Sequence, residues 1–281
     1  NPDLSGWDTS NVTHMYAGFY NCSNFNSPSI SNWDVSSVLY FGNNADWATF
    51  GLCTSFNQPL NWSINTVGSV NMSYMFYGCT AFNQYLDWDV SHVTSMKAMF
   101  RSCTSFDQNI GSWNTGAVTT MTEMFQSATN FNNGGSPDID NWDVSSVTIF
   151  GGAYNAAMFL GATSFNQPIG NWDTSAMTQA IAMFSGASSF NQPIGTWNTS
   201  NLIYAGGTSQ TNWGMFYNAT AFDQDISAWD VNQITRLSSF MSGVTLSTAN
   251  YDALLIAWDA QGAMSFSGTV NFGGSQYTSG G

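Results

Sequence analysis

A tryptophan recurs along this chain of 281 residues at intervals of 25 to 32 residues. The sequence around it repeats as well, since FNQPIGNWDTS at 165–175 returns as FNQPIGTWNTS at 190–200. A period this short lies below the roughly 33 residues of helix-pair repeats and fits a leucine-rich-repeat coil. One such unit cannot bury its apolar side alone, so neighbouring units must stack. The repeat tryptophans are Trp7, Trp33, Trp62, Trp88, Trp113, Trp142, Trp172, Trp197, Trp229 and Trp258.

The repeat predicts a solenoid of the leucine-rich-repeat kind over residues 1–244, with about nine coils of 25–32 residues. Two apolar segments recur in each coil. The F-N-Q-x-I segment predicts a short parallel strand stacked on its equivalents, whereas V-T-x-M-x-x-M-F fits either a helical turn or an irregular strand. Over 245–281 we expect a small α+β cap, with a helix at about 248–259 followed by a short hairpin.

Three phrases carry a family resemblance: WDVSSVT at 142–148, MFYGCTAFNQ at 75–84 and FNQPIGNW at 165–172. They resemble the repeats, about 26 residues long, of bacterial surface proteins related to the BspA-like leucine-rich-repeat group, and the match runs from Trp7 to about Val244. The resemblance implies an extracellular, surface-attached solenoid, often discussed as an adhesin. It implies no catalytic residue.

Individual columns of the repeat predict structural roles. The residue after each tryptophan is Asp, Asn or Ser (Asp173 in one copy, Asn198 in the next), which indicates a short acceptor for a local turn rather than a charge. The Asn of F-N-Q predicts an amide ladder that satisfies backbone groups between coils, with a carbohydrate-binding strip as the alternative. The methionine column is expected in the core.

One column favours buried thiols over disulfides or zinc ligands: Cys22, Cys53, Cys79 and Cys103.

The charge balance restricts the partners. Only 7% of residues are charged, and three basic residues face seventeen acidic ones, for a net charge of −14. Binding to a phosphate backbone needs a basic surface, so nucleic acid is not expected as a partner, and neither is an anionic membrane surface. No apolar stretch approaches the ~20 residues that a membrane span needs, so we expect no membrane insertion.

Candidate catalytic groups are few, and the sequence predicts that the protein is not an enzyme. His14, His92 and Glu123 lie in different contexts and are interpreted as solvent-facing repeat variants. Asp87 and Asp89 have the chemistry of a glycosidase pair but come from ordinary repeat positions. No cofactor is expected.

Calcium is a weak alternative. The densest carboxylate cluster is Asp138, Asp140 and Asp143, and calcium prefers six to eight hard oxygen ligands. The Gly-Asp nonapeptide pattern of calcium-binding repeats is missing, which favours a structural role for these carboxylates.

Three coils depart from the repeat by long insertions. From the tryptophan to the Cys/Ala column the distance is 15 residues in regular coils, but it is 20, 20 and 22 in the coils of Trp33, Trp142 and Trp197. Since the insertions enter at one place in the coil, we expect them on one side, where they suit recognition of a glycan or a protein. The alternative is that their aromatic rings fill a widened coil. The predicted ligand-binding set is Tyr40, Phe41, Trp47, Phe150, Tyr154, Tyr204 and Trp213.

Two functions follow from these patterns. The first is an extracellular binding or adhesion module for a glycan or protein ligand. The second is a structural subunit that assembles into a surface layer or filament. The chain starts inside a repeat, so end-to-end self-association through an uncapped first coil is one way to cover that edge. A threonine column raises ice binding as a third option, but Leu39 and Val70 interrupt it.

Overall fold

The computed structural model describes residues 1–43, 47–152, 156–207, 213–262, 266–267 and 269–278. Regular secondary structure is sparse, so the chain is a repeat protein with short strands and few helices. In chain order its elements are the 3-10 helix Pro28–Ile30, strands β1 (Val70–Asn71) and β2 (Val93–Ser95), the 3-10 helices Asn133–Gly135 and Pro137–Asn141, strands β3 (Ile149–Gly152), β4 (Ala156–Ala157) and β5 (Gln179–Ala180), and helix α1 (Thr248–Asp259).

The strands lie in the V-T-x-M segment, which the sequence left undecided. β1 pairs with β2 in parallel, and β3 pairs in parallel with β5 and antiparallel with β4. Isolated parallel bridges continue this pairing from one repeat to the next. We call the row of paired residues the bridge column. It consists of two successive runs of paired residues, the first being His14, Tyr40, Asn71, Ser95 and Thr120, and the second Ile149, Gln179, Tyr204, Arg236 and Ser267.

The F-N-Q-x-I segments are irregular, so the prediction of strands there is wrong. Side chains satisfy their backbone instead: Oδ1 of Asn57 accepts the N–H of Asn83 at 2.9 Å. The carboxamide of Gln84 donates to the same oxygen at 3.0 Å. This arrangement is the predicted amide ladder, which is confirmed. Its successive members are Asn26, Asn57, Asn83, Asp107, Asn132, Asn166, Asn191, Asp223 and Ser247.

Stacked rings fill the core. Phe76 and Phe100 of adjacent repeats lie 5.6 Å apart, and Phe100 and Phe106 of one repeat lie 4.0 Å apart. Offset aromatic pairs contribute about 0.5–1.5 kcal/mol each beyond their buried area. The indole N–H of Trp172 donates to the carbonyl oxygen of Ile139 in the preceding repeat at 2.9 Å. The same bond is made by Trp33, Trp62, Trp88, Trp113, Trp142, Trp197 and Trp229.

The turn after each tryptophan has the predicted form. Oδ1 of Asp173 accepts the N–H of Ser175 at 2.9 Å, and Oδ1 of Asn198 accepts the N–H of Ser200 at 3.1 Å. Hydrogen bonds from the Ser175 side chain and backbone lower the pKa of Asp173. An amide makes the same turn as a carboxylate. The role of the side chain in this column is therefore to accept a hydrogen bond, and it does not depend on charge.

Left-handed residues bend each coil. The residue before the Cys/Ala column has a φ between 57° and 81° in every repeat from Asn21 to Gly243. A second left-handed residue lies four positions earlier in six coils, as at Ala98 and Glu123. The three coils with long insertions lack this second residue, so the insertions begin where the regular coil has a tight bend.

Helix α1, Thr248–Asp259, follows the last coil and buries Leu254 and Trp258. The described residues beyond it do not pair with one another as a hairpin. Instead Ser267 bridges to Arg236 and Val270 bridges to Ser238, because the preceding coil offers an open edge. None of the helices in the described parts of the chain is long and apolar enough to cross a membrane.

Candidate ligand-binding face

Each long insertion begins at a glycine that follows the repeat tryptophan by nine positions: Gly42, Gly151 and Gly206. A Cβ at Gly42 would overlap the carbonyl oxygen of Ser73, and one at Gly151 would overlap that of Ile181. Only glycine permits this approach of two backbones. Antiparallel pairs from Gly42 to Ala48 and from Gly151 to Ala157 then close the first two insertions. The insertions therefore leave the coil at one equivalent position, beside the bridge column.

Two predicted ligand-binding residues belong to the core. Phe41 and Phe150 are fully buried, so their assignment to the binding set is wrong. Both follow the repeat tryptophan by eight positions, the place that Met96 and Met121 occupy in regular coils. That column faces inward in every coil. Tyr154 of the predicted set lies outside the described residues.

The first insertion and the bridge-column residue just before it present exposed rings. Tyr40 is 39% exposed and Trp47 is 56% exposed. The imidazole of His14 stacks on Tyr40 with 4.7 Å between ring centroids, and the ring of Tyr16 meets His14 edge-on at 5.5 Å. We give the name aromatic patch to these three contacting rings together with the exposed Trp47 of the adjoining insertion, that is, to His14, Tyr16, Tyr40 and Trp47. The sequence pointed to Tyr40 and Trp47 but missed the other two, which neighbour Tyr40 only through the pairing of coils.

The third insertion turns its rings inward. Trp213 is half-buried and packs against an apolar cluster of Ala157, Leu160, Ile181 and Ala182. Its ring centroid lies 5.8 Å from that of Tyr217. Here the alternative interpretation, in which the aromatic residue fills the widened coil, describes the structure better. Tyr204 is also half-buried, and the guanidinium of Arg236 lies 4.3 Å from its ring centroid.

Glu123 is buried, with 6% exposure, so its interpretation as a solvent-facing variant is wrong. Its carboxylate forms ion pairs with Lys97, at 3.8 Å, and with Arg101. These two cations also lie over the rings of Tyr74 and Tyr77, each 5.3 Å from the centroid. A buried carboxylate is stable there because two cations of the adjacent repeat compensate for its desolvation. His14 is exposed and His92 is half-buried.

The weak calcium candidates do not form one site. Asp138, Asp140 and Asp143 bind separate partners: the first accepts from Asn109, the second from Asn171 and the third from Ser145. Within the described ranges, no group of three His, Cys, Asp or Glu residues is placed to hold a metal ion. The three carboxylates serve local turns and contacts between repeats.

Asp87 and Asp89 line an open cleft of about 620 Å³ beside Trp62. Hydrogen bonds from Ser91 lower the pKa of Asp89. A glycosidase needs one carboxyl group with a raised pKa as its acid. The lowered pKa of Asp89 suits the base of such a pair and not its acid.

The cysteines are free. The Sγ–H groups of Cys53, Cys79 and Cys103 donate to carbonyl oxygens of the preceding repeat at 2.8–3.0 Å. Burial raises the pKa of Cys53 to about 12 and also raises the pKa values of Cys79 and Cys103. These three match the predicted buried thiols, but Cys22 is exposed and departs from the prediction.

Comparison with known proteins gives one match. A family model described as "Mycoplasma protein of unknown function, DUF285" matches residues 1–87, 86–157 and 136–254. No curated protein and no solved structure matches the chain. The successive matches along the chain agree with its internal repeats.

Proposed function

Because the chain belongs to the DUF285 family, whose description states no function, we propose from its geometry that it is an extracellular, surface-exposed module that binds a glycan or protein ligand in adhesion. The aromatic patch is the observation that carries this proposal. Tyrosine and tryptophan supply large contact areas with few rotatable bonds, so they lose little entropy on binding. The proposal contains no catalytic step and no cofactor.

We also propose that the repeats form a solenoid related to leucine-rich-repeat proteins of the BspA-like group. The amide ladder and the tryptophan hydrogen bonds support this, because each links a residue to its counterpart in the next repeat. Such a scaffold would hold the aromatic patch in a fixed arrangement. Binding to a preorganised surface costs less conformational entropy than binding to a mobile loop.

The test is an array of glycans and matrix proteins probed with the purified chain, with and without calcium. We expect ligands that bind the parent protein and the Tyr85→Ala variant equally well. Tyr85 is a suitable control because it is an exposed tyrosine, at 57%, in an F-N-Q segment away from the patch. The Tyr40→Ala/Trp47→Ala variant should lose these ligands. An array without any ligand in either buffer would contradict the proposal.

Self-association is a second proposal, and Trp7 favours it. Its indole is 60% exposed, and its ring stacks on Trp33 at a centroid distance of 5.8 Å. A second copy of the chain could stack on the exposed face. Sedimentation velocity should then show oligomers that dissociate in Trp7→Ala, whereas a monomer at high protein concentration would contradict this proposal.

A further inference from the structure

Within the part of the chain that the structure describes, no residue neutralises the charge of Arg236 by an ion pair. The chain has three basic residues, and two of them, Lys97 and Arg101, are paired with Glu123. We propose that Arg236 binds a single acidic group, a carboxylate or a sulfate, on a carbohydrate ligand. This inference rests on the proposed binding function and adds a separate ligand contact, seven positions along the bridge column from Tyr40 of the aromatic patch.

The guanidinium of Arg236 has donors to offer. It lies over the ring of Tyr204, 4.3 Å from the centroid, and is half-buried. Among the residues that the structure describes, none accepts a hydrogen bond from this guanidinium or forms an ion pair with it. An arginine carries five N–H donors in a planar fork that matches the oxygens of carboxylates and sulfates. A half-buried cation that no described carboxylate neutralises is a site where an external anion is stabilised.

The site is also preorganised. The backbone of Arg236 bridges to Tyr204 on one side and to Ser267 on the other. Its carbonyl oxygen accepts the N–H groups of Ala205 and Gly206, both at 3.0 Å, at the start of the third insertion. The contact with the tyrosine ring restricts the side chain. The fork is therefore held in place before a ligand arrives.

The surroundings favour a carbohydrate over a peptide. Peptides that bind beside strands need an open backbone edge, and here both neighbours of Arg236 already occupy it. In the bridge column Arg236 lies between Tyr204 and Ser267, and the half-buried amide of Gln179 follows beyond Tyr204, so these neighbours are uncharged and carry polar groups. Such groups suit the hydroxyls of a sugar. An acidic peptide is the alternative that the test must distinguish.

The overall charge restricts the ligand further. The net charge of −14 repels a polyanion at long range, while the contact with Arg236 acts over a few ångströms. A ligand with one acidic sugar gains the contact without strong repulsion. We therefore expect sparsely charged glycans to bind better than densely sulfated chains.

The experiment compares matched oligosaccharides: a neutral one, the same with one carboxylated sugar, the same with one sulfate, and an acidic peptide. Binding is measured for the parent chain and for Arg236→Gln, Arg236→Lys and Lys97→Gln. The Lys97→Gln control changes the net charge as Arg236→Gln does but removes a cation already paired with Glu123. Thermal unfolding of each variant verifies that it is folded.

We expect the acidic oligosaccharides to bind about tenfold to a hundredfold more tightly than the neutral one, as for a charged hydrogen bond. Arg236→Gln should remove this difference, Arg236→Lys should restore only part of it because lysine lacks the fork, and Lys97→Gln should preserve it. The carboxylated and sulfated arms then identify the acidic group.

Three outcomes would overturn the inference. Equal binding of neutral and acidic oligosaccharides, unaffected by Arg236→Gln, refutes the role of Arg236 but leaves the proposed binding function intact. Binding of the acidic peptide alone refutes the carbohydrate. An absence of binding to all four probes and to the wider array refutes the inference together with the proposed function.

Discussion

Oδ1 of Asn83 accepts the backbone N–H of Asp107 in the following repeat at 2.9 Å. The same oxygen accepts a hydrogen bond from the amide of Gln108 at 2.9 Å. One side-chain atom thus replaces a strand ladder at this point of the coil. The stability of the stack depends on an unbroken series of such acceptors, because a half-buried N–H without a partner is destabilising.

Asn83→Ala should therefore lower the free energy of unfolding by about 1–3 kcal/mol, since it leaves the N–H of Asp107 without an acceptor and removes one of the two acceptors of the Gln108 carboxamide. Asn83→Asp should lose less stability than Asn83→Ala, because Asp107 and Asp223 already serve as acceptors in the same ladder, although the new carboxylate would stack on Asp107. Chemical denaturation followed by tryptophan fluorescence measures the difference. Asn130→Ala, at an exposed position outside the ladder, is the control and should change stability by less than about 0.5 kcal/mol. Equal effects of Asn83→Ala and Asn130→Ala would contradict the role of the ladder.

Trp172→Phe tests the tryptophan column. The substitution keeps an aromatic ring but removes the N–H that donates to Ile139 at 2.9 Å. We expect a loss of about 1–3 kcal/mol, because the carbonyl oxygen of Ile139 loses one of its two hydrogen bonds and the smaller ring leaves space in the core. Trp7→Phe is the matched control, since that indole is largely exposed. A thermal unfolding midpoint for Trp172→Phe no lower than that of the control would refute this account.

The lowered pKa of Asp173 predicts a dependence on acid. A carboxyl group with a lower pKa in the folded state stabilises the protein above its unfolded pKa, here 3.8, and this contribution disappears as the pH falls through the folded pKa. Asp173→Asn should leave the free energy of unfolding at neutral pH nearly unchanged. Below about pH 4 the variant should lose less stability than the parent protein does. Thermal unfolding measured from acidic to neutral pH tests this.

The reciprocal change, Asn198→Asp, provides the control. It would place a carboxylate between the equivalent Asp173 and Asp230, so like charges would stack in three adjacent repeats. We expect lower stability at neutral pH that added salt partly restores. A neutral or stabilising effect at low salt would show that this column tolerates charge freely.

The thiols should differ in reactivity. Cys22 is exposed, whereas Cys53, Cys79 and Cys103 are buried with raised pKa values. Because the thiolate is the reactive form, an alkylating reagent should add one group to the native protein and four to the unfolded protein. Mass spectrometry counts the adducts, and Cys22→Ser should abolish labelling of the native state. Fast labelling of native Cys79 would contradict the burial of this column.

The sequence predicts a feature well when the same position is observed many times. The interchange of Asp173 and Asn198 revealed a hydrogen-bond acceptor, and the recurring Asn of F-N-Q revealed the amide ladder. The strand prediction failed because apolar alternation does not show whether a backbone N–H bonds to another backbone or to a side chain. In F-N-Q, the asparagine oxygen accepts that bond.

The binding set was harder to predict because each insertion occurs once. Phe41 and Phe150 were grouped with their neighbours by composition, although counting eight residues from Trp33 and Trp142 places them in the methionine column. His14 and Glu123 could not be assigned from their own repeats. Their environments come from Tyr40 and from Lys97 and Arg101, which lie in adjacent coils.

The aromatic patch is the centre of the functional account, and one comparison tests it most directly. Attachment to the ligand found on the array is measured for the parent chain, for Tyr40→Ala/Trp47→Ala and for Tyr85→Ala, after thermal unfolding has verified that all three are folded. The account predicts that the double variant loses attachment by at least about tenfold, as for central aromatic contacts, while Tyr85→Ala retains it. Undiminished attachment of a folded double variant would contradict the account.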